Sequence, residues 1–274
     1  MIIYTPAGSL PYHHFIFSDG QPHFRLDAAP AAEAGFRNAT IEARLASFND
    51  VGEVLLAHDA LRRFGFMVDL DIRYLLGARM DRALSATEPF TLDVVARVIN
   101  GSSFRRVRIL DPHSAVATQL IHNSVGVYPT EIVKAVRNTI GPHELVAPDK
   151  GSITRLERDL KEYPLIHADK TRDPSTGKIT GMALHNVVDL TGTTCLIVDD
   201  ICDGGATFIN LATLLKGRGA KAVHLFVTHG IFSKGLKVLL DGGIDRIFTT
   251  DSFAPWHRTS PDVTTFEVSM KELP

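Results

Sequence analysis

The sequence predicts an α/β protein made of two units, each a mainly parallel sheet flanked by helices. Three observations point there. Short β-branched, apolar runs alternate with longer segments of helical period, and the same alternation recurs in the second half. A length of 274 residues, with 45% hydrophobic and 22% charged side chains, suits a globular chain larger than one modest domain.

In order, the first half reads "HHFIF" as a strand, "VGEVLLAHDALRRFG" as a helix, "FMVDLDIRYL" as a strand, "FTLDVVARVINGSS" as a helix and "RRVRILD" as a strand. Val54, Leu55, Ala57, His58, Leu61 and Phe64 recur at helical spacing, whereas "RRVRIL" is short and β-rich. The second half continues with "YPTEIVKAVRNTIG" (helix), "HELVAPD" (strand), "ITRLERDLKEY" (helix), "PLIHADK" and "TTCLIVDD" (strands), "ATFINLATLLKGRG" (helix) and "AVHLFVTHG" (strand). The boundary falls near "GVYP", where Pro129 and Thr130 start a helix after an irregular segment. The expected domains are 1–127, completed by 262–274, and 128–261. Between two strands, "ADKTRDPSTGKITGM" lacks an apolar face and is expected to be a mobile loop or hairpin.

Lys and Arg number 29 against 31 Asp and Glu, so no electrostatic footprint argues for nucleic acid or an anionic membrane. Cys195 and Cys202 have neither a metal nor a disulfide spacing and read as free thiols of a reducing compartment. No apolar run reaches the length of a membrane span, and "MIIYTPAGSLPYHHF" lacks the basic start and apolar core of a secretion signal. A cytoplasmic protein is expected.

The chemistry concentrates in "LIVDDICDGGATF", Leu196 to Phe208. "TTCLIV" is a buried parallel strand by composition, and Phe208, Leu211, Leu214 and Leu215 mark a helical face behind it, so the motif is a strand-to-helix turn. The helix start offers unpaired N–H groups, and Gly204 and Gly205 let the main chain approach an anion closely. Asp199 and Asp200 beside a phosphate make electrostatic sense if they face hydroxyls or a hydrated Mg²⁺. A phosphorylated sugar supplies both. An ordinary turn with Asp203 as N-cap is the plainer reading, and the paired acids ahead of it favour the functional one.

This run of two branched apolar residues, two acids, two variable residues, Asp, a small-residue loop and Thr resembles the phosphoribosyl-pyrophosphate (PRPP) motif of phosphoribosyltransferases and ribose-phosphate pyrophosphokinases. Other segments resemble the pyrophosphokinases in family order: "FSDGQ" from Phe17, "YLLGARMDR" from Tyr74, "LDPHS" from Leu110, "APDKGSITR" from Ala147, "DKTRDPSTGKI" from Asp169, "VTHGIFSKG" and "FTTDSF". Gly77, Met80, Lys150 and Ser152 depart from the family pattern, and its Thr-x-Gly-Thr loop is here Gly-Gly-Ala-Thr.

The resemblance implies two phosphoribosyltransferase-like (type I) domains, the N-terminal one on the ATP side, and pyrophosphoryl transfer from MgATP to ribose 5-phosphate. It implies catalysis by Lys170 and Arg172. For ATP it implies Arg79, Asp81 and His113, with Phe17, Asp19 and Gln21 reaching a neighbouring subunit's adenine. Asp199, Asp200, Asp203, Gly204, Gly205, Ala206 and Thr207 would hold the ribose phosphate, and His113 and Asp149 would meet Mg²⁺. A homo-oligomer, dimer or hexamer, follows from the same source. The alternatives are a larger acceptor such as ADP-ribose, or a non-catalytic regulatory subunit. A phosphoribosyltransferase that consumes PRPP fits the Arg79 segment and the paired halves less well.

Overall fold

The two halves of the sequence fold as separate sheets. The computed structural model describes residues 1–27, 35–161, 166–172, 179–185, 189–254 and 262–273. Its units are Met1–Val127 with Ser269–Pro274, and Tyr128–Val268. The tail therefore joins the first unit from Ser269 rather than from residue 262. Val263–Phe266 pairs in parallel with Arg246–Thr250 as a strand of the second sheet.

In the first unit, β1 (Ile2–Thr5), β2 (Gly8–Ser9), β5 (Asn38–Arg44), β6 (Met67–Tyr74), β7 (Val107–Leu110) and β8 (Ser124–Val127) form one sheet, ordered β2-β1-β5-β6-β7-β8. It is parallel from β5 to β8. The expected strand "HHFIF" becomes β3 (Tyr12–Ile16), which pairs with β4 (Pro22–Leu26) in a separate antiparallel hairpin. Helix α1 (Phe48–Arg63) starts at a capping box, with Ser47 Oγ accepting from Asp50 N–H and the Asp50 carboxylate accepting from Ser47 N–H. Its buried face is Val51, Val54, Ala57, His58 and Leu61, a helical repeat. Helices α2 (Thr91–Asn100) and α3 (Val116–Leu120) complete the unit.

The acids of "MVDLDIRY" survive in a central strand because the next strand brings arginines. Arg108 grips Asp71 through two bonds of 2.9 and 2.7 Å, Tyr4 Oη donates to the same carboxylate at 2.7 Å, and Arg105 Nε donates to Asp69 at 2.8 Å. Arg108 also donates to the Leu273 carbonyl at 3.1 Å, and Lys271 Nζ lies 3.7 Å from the centre of the Tyr4 ring. The tail is thus tied to the buried charge of the first sheet.

The second unit contains α4 (Thr130–Ile140), β9 (Glu144–Ala147), α5 (Lys150–Leu160), β10 (Ile166–Arg172), β11 (Ile179–His185), β12 (Thr194–Cys202), α6 (Ala206–Gly217), β13 (Ala222–Gly230), α7 (Leu236–Asp241), β14 (Arg246–Thr250) and β15 (Val263–Phe266). Its sheet runs β11-β10-β9-β12-β13-β14-β15, parallel except for β11. Because successive side chains alternate faces, Cys195 and Ile197 of β12 pack with Phe208 and Leu211 of α6, while Leu196 and Val198 pack with Val133, Val136 and Leu156 from α4 and α5. Burial pushes the Cys195 thiol up to about 11, which keeps it protonated and inert. The expected loop or hairpin after Ala168 is a hairpin of β10 and β11, with residues 173–178 outside the described residues.

Burial, and then the hydrogen bond and charge of Asp71, hold the Tyr4 phenol well above the usual tyrosine range. The folded chain therefore keeps this proton to higher pH than the unfolded chain. The associated stability is fully present below the unfolded value, about pH 10, and is lost as pH rises through the folded value. Urea denaturation at pH 8 and pH 11 should show wild-type stability falling more than that of Tyr4→Phe.

Candidate active site

In open α/β sheets, ligands bind beyond the carboxyl ends of the strands. The end of β12 carries Asp199 and Asp200, both buried, followed by the turn Asp203–Gly205 and helix α6. Gly205, not Asp203, is the N-cap, and no side chain caps this helix. Gly205 has φ 80°, a conformation that favours glycine, and a Cβ there would lie 2.8 Å from Leu239 Cδ2, which would have to move aside. Phe208 N–H and Ile209 N–H both return to the Gly205 carbonyl. Ala206 and Thr207, the first two helical residues, offer their amides at the positive end of the helix dipole. The turn thus presents main-chain donors that an anion can meet.

The two acids have a protein cation that was quoted in the sequence only as a motif's last letter. Arg155 Nη1 donates to Asp199 Oδ1 at 2.9 Å, and its Nη2 lies 3.4 Å from Asp200 Oδ1. Ser152 Oγ and the Asp200 amide also donate to Asp199 Oδ1, at 2.9 and 3.0 Å. Asp149, assigned to metal by resemblance, has a structural task as well. It is the N-cap of α5: its Oδ1 accepts from Ser152 N–H at 3.0 Å and lies 3.0 Å from Ser152 Oγ, whose one proton the Asp149 and Asp199 carboxylates share. Ser152, a departure from the family pattern, is therefore the bridge between that cap and Asp199.

On the neighbouring strands, Ser252 Oγ donates to the Thr228 carbonyl at 2.9 Å and lies 2.9 Å from His229 Nδ1. With the hydroxyl proton committed to the carbonyl, His229 Nδ1 is the donor to Ser252. Thr250 Oγ1 donates to the same carbonyl at 2.7 Å. The "VTHG" and "TTDS" segments thus lock to each other, fixing the ends of β13 and β14 beside β12. Lys170 and Arg172 end β10, facing Met182 and Ile179 of β11 across the ladder, with a bulge between Thr171 and Arg172. Their side chains lie outside the described residues.

In the first unit, Arg79 and Asp81 follow the end of β6, and exposed His113 follows the end of the adjacent β7. The parallel order brings them to one sheet edge. Gly77, a departure from the family pattern, has φ 79°, and a Cβ there would lie 3.2 Å from Leu92 N. The loop needs this glycine to lie against the start of α2. Phe17, Asp19 and Gln21 lie at the tip of the β3–β4 hairpin. Phe17 packs edge-on against Phe15, and Asp19 Oδ1 accepts from Gln21 N–H at 3.0 Å.

Among the described residues, no three His, Cys, Asp or Glu side chains cluster as a metal cage. Separate carboxylates and an exposed imidazole fit a magnesium ion held chiefly by water and substrate phosphates. Among the described residues, no helix is long and apolar enough to cross a membrane.

Removing the Arg155 cation should cost about 3–5 kcal/mol, because Asp199 and Asp200 are buried. Urea denaturation of Arg155→Met against wild type at pH 7 checks this.

Residues 169–270 match the family model described as "Phosphoribosyl synthetase-associated domain". The chain is 31% identical over 206 residues to the ribose-phosphate pyrophosphokinase of Thermococcus kodakarensis, covering 73% of this chain and 72% of that protein. It is 30% identical over 263 residues to the one from Mycoplasma pneumoniae, covering 90% and 77%. The crystal structure of phosphoribosylpyrophosphate synthetase from Mycobacterium smegmatis superposes with a TM-score of 0.77 at 21% identity, covering 94% of this chain and 86% of that one. That likeness bears on the fold: two mainly parallel sheets flanked by helices.

Proposed function

The chain belongs to the ribose-phosphate pyrophosphokinase family, and on that premise we propose that it transfers the pyrophosphoryl group of MgATP to the anomeric hydroxyl of ribose 5-phosphate, giving PRPP and AMP. The observation that carries this reading is the glycine-capped turn at Gly205, an anion site directly beyond two buried carboxylates. Few ligands other than a phosphorylated polyol satisfy both.

In this reading the amides of Ala206 and Thr207, with Asp203 and Gly204 shaping the turn, hold the sugar 5-phosphate. Asp199 and Asp200, both met by Arg155, accept hydrogen bonds from ribose hydroxyls. The anomeric oxygen bonds to the β-phosphorus as the bridge to the α-phosphorus breaks, AMP leaves, and the hydroxyl proton passes to solvent. Charge grows on the phosphate oxygens, so positioning and cationic stabilisation carry the catalysis. Lys170 and Arg172 are assigned that stabilisation. Arg79, Asp81 and His113 are assigned to ATP, with Phe17, Asp19 and Gln21 reaching the ATP of a neighbouring copy in a homo-oligomer. His113 in the first unit and Asp149 in the second are each assigned to magnesium, which would supply neutralisation of phosphate charge. A cytoplasmic setting fits substrates of this kind.

One observation favours a second acceptor. Gly204 stands where the family's loop has Thr, which alters the contacts at the sugar phosphate, and the alternative acceptor is a larger ribosyl 5-phosphate derivative such as ADP-ribose. Incubation with MgATP and each acceptor, followed by AMP release, should show turnover with ribose 5-phosphate. Turnover with ADP-ribose alone would move the acceptor assignment, and none with either would favour a regulatory subunit.

Lys170→Ala should lower the AMP release rate by at least about 100-fold with an unchanged urea midpoint. Near-normal turnover would remove the β10–β11 hairpin from the catalytic account.

A further inference from the structure

The loop after β13 is fastened to the phosphate turn by main chain. The Cys202 carbonyl accepts from both Ile231 N–H and Phe232 N–H, at 2.9 and 3.1 Å, and Gly235 N–H closes the loop on the Phe232 carbonyl at 2.8 Å. This places Lys234 over Gly204. A Cβ on Gly204 would meet Lys234 Cε at 3.5 Å, Cδ at 3.6 Å and Cγ at 3.9 Å, so the lysine stem lies along the turn where another residue's side chain would begin. The ammonium is one bond beyond Cε. Lys234 is exposed, and among the described residues it makes no hydrogen bond or ion pair. The stem lies beside the turn, and among the described residues no carboxylate draws the ammonium away.

From this geometry we infer that Lys234 is a binding residue for the phosphate of the acceptor, supplying from a neighbouring loop the polar contact that Gly204 cannot make. The inference rests on reading the 203–207 turn as the sugar-phosphate site. A phosphomonoester carries close to two negative charges at neutral pH, more than two main-chain amides and a helix dipole neutralise. A flexible ammonium reaching in from solvent adds a charge-assisted bond at little desolvation cost. It also makes the site selective for a terminal phosphate, because an acceptor whose 5-phosphate is esterified offers less charge there.

Calorimetric titration of wild type, Lys234→Met and Lys234→Arg with ribose 5-phosphate, and separately with inorganic phosphate, tests this without requiring turnover. Lys234→Met should weaken both ligands about tenfold or more, with a flatter salt dependence, and Lys234→Arg should keep most of the affinity. In the AMP assay the methionine variant should raise the KM for ribose 5-phosphate while kcat and the KM for ATP change little. Because the side chain is exposed, both variants should keep the wild-type urea midpoint. Equal affinities in wild type and Lys234→Met overturn the inference, as does a wild type that binds neither ligand. A wild type that binds ribose 5-phosphate but releases no AMP defeats the proposed reaction and leaves the lysine contact standing.

Discussion

Two carboxylates at the end of a strand buried on both faces must be met by a cation, and the architecture of the second unit follows from how that need is answered. Arg155 reaches Asp199 and Asp200 from α5, which requires α5 to start close to the end of β9. Asp149 sets that start, and Ser152 links the cap to Asp199 directly. One short chain of bonds therefore fixes β9, α5 and β12 relative to one another, and the phosphate turn inherits its position from β12. Burying charge in this way is costly by itself. Here it sets two carboxylates directly before the glycine-capped turn.

The first unit shows the same device put to a different use. Asp71, wholly buried in the middle of β6, is satisfied by Arg108 and Tyr4. It favours the observed register: Asp71 stands opposite Arg108 in the β6–β7 pairing, and a one-residue slip would turn the acid away from the guanidinium.

Strong periodicity made the helices and the most apolar strands readable in the sequence, and the PRPP-like motif gave the acids and glycines of the site. What escaped shares a physical cause. Strand β5, "NATIEAR", carries Glu42, which is buried near Arg73 at 3.8 Å, so a polar pattern that reads as surface is central. Strands β1, β8, β14 and β15 are four or five residues long, too short for a period to declare itself. Arg155 was visible as the last letter of a quoted segment, but its partner lies on another strand. Lys234 was invisible because its contact with Gly204 exists only once two loops are tied through Cys202. The N-cap at Gly205 rather than Asp203 also needed coordinates, since both residues suit a helix start.

The returning tail has a consequence for the order in which the protein forms. Chains fold from the amino end as they are made. Residues 1–127 leave the ribosome well before Ser269–Leu273, yet Met270 is fully buried, Lys271 covers the Tyr4 ring and the Leu273 carbonyl takes an N–H of Arg108. The nascent first unit must wait, with its charged network only partly satisfied, until the entire second unit has emerged. Residues that follow the second unit in the chain are the ones that seal the first sheet.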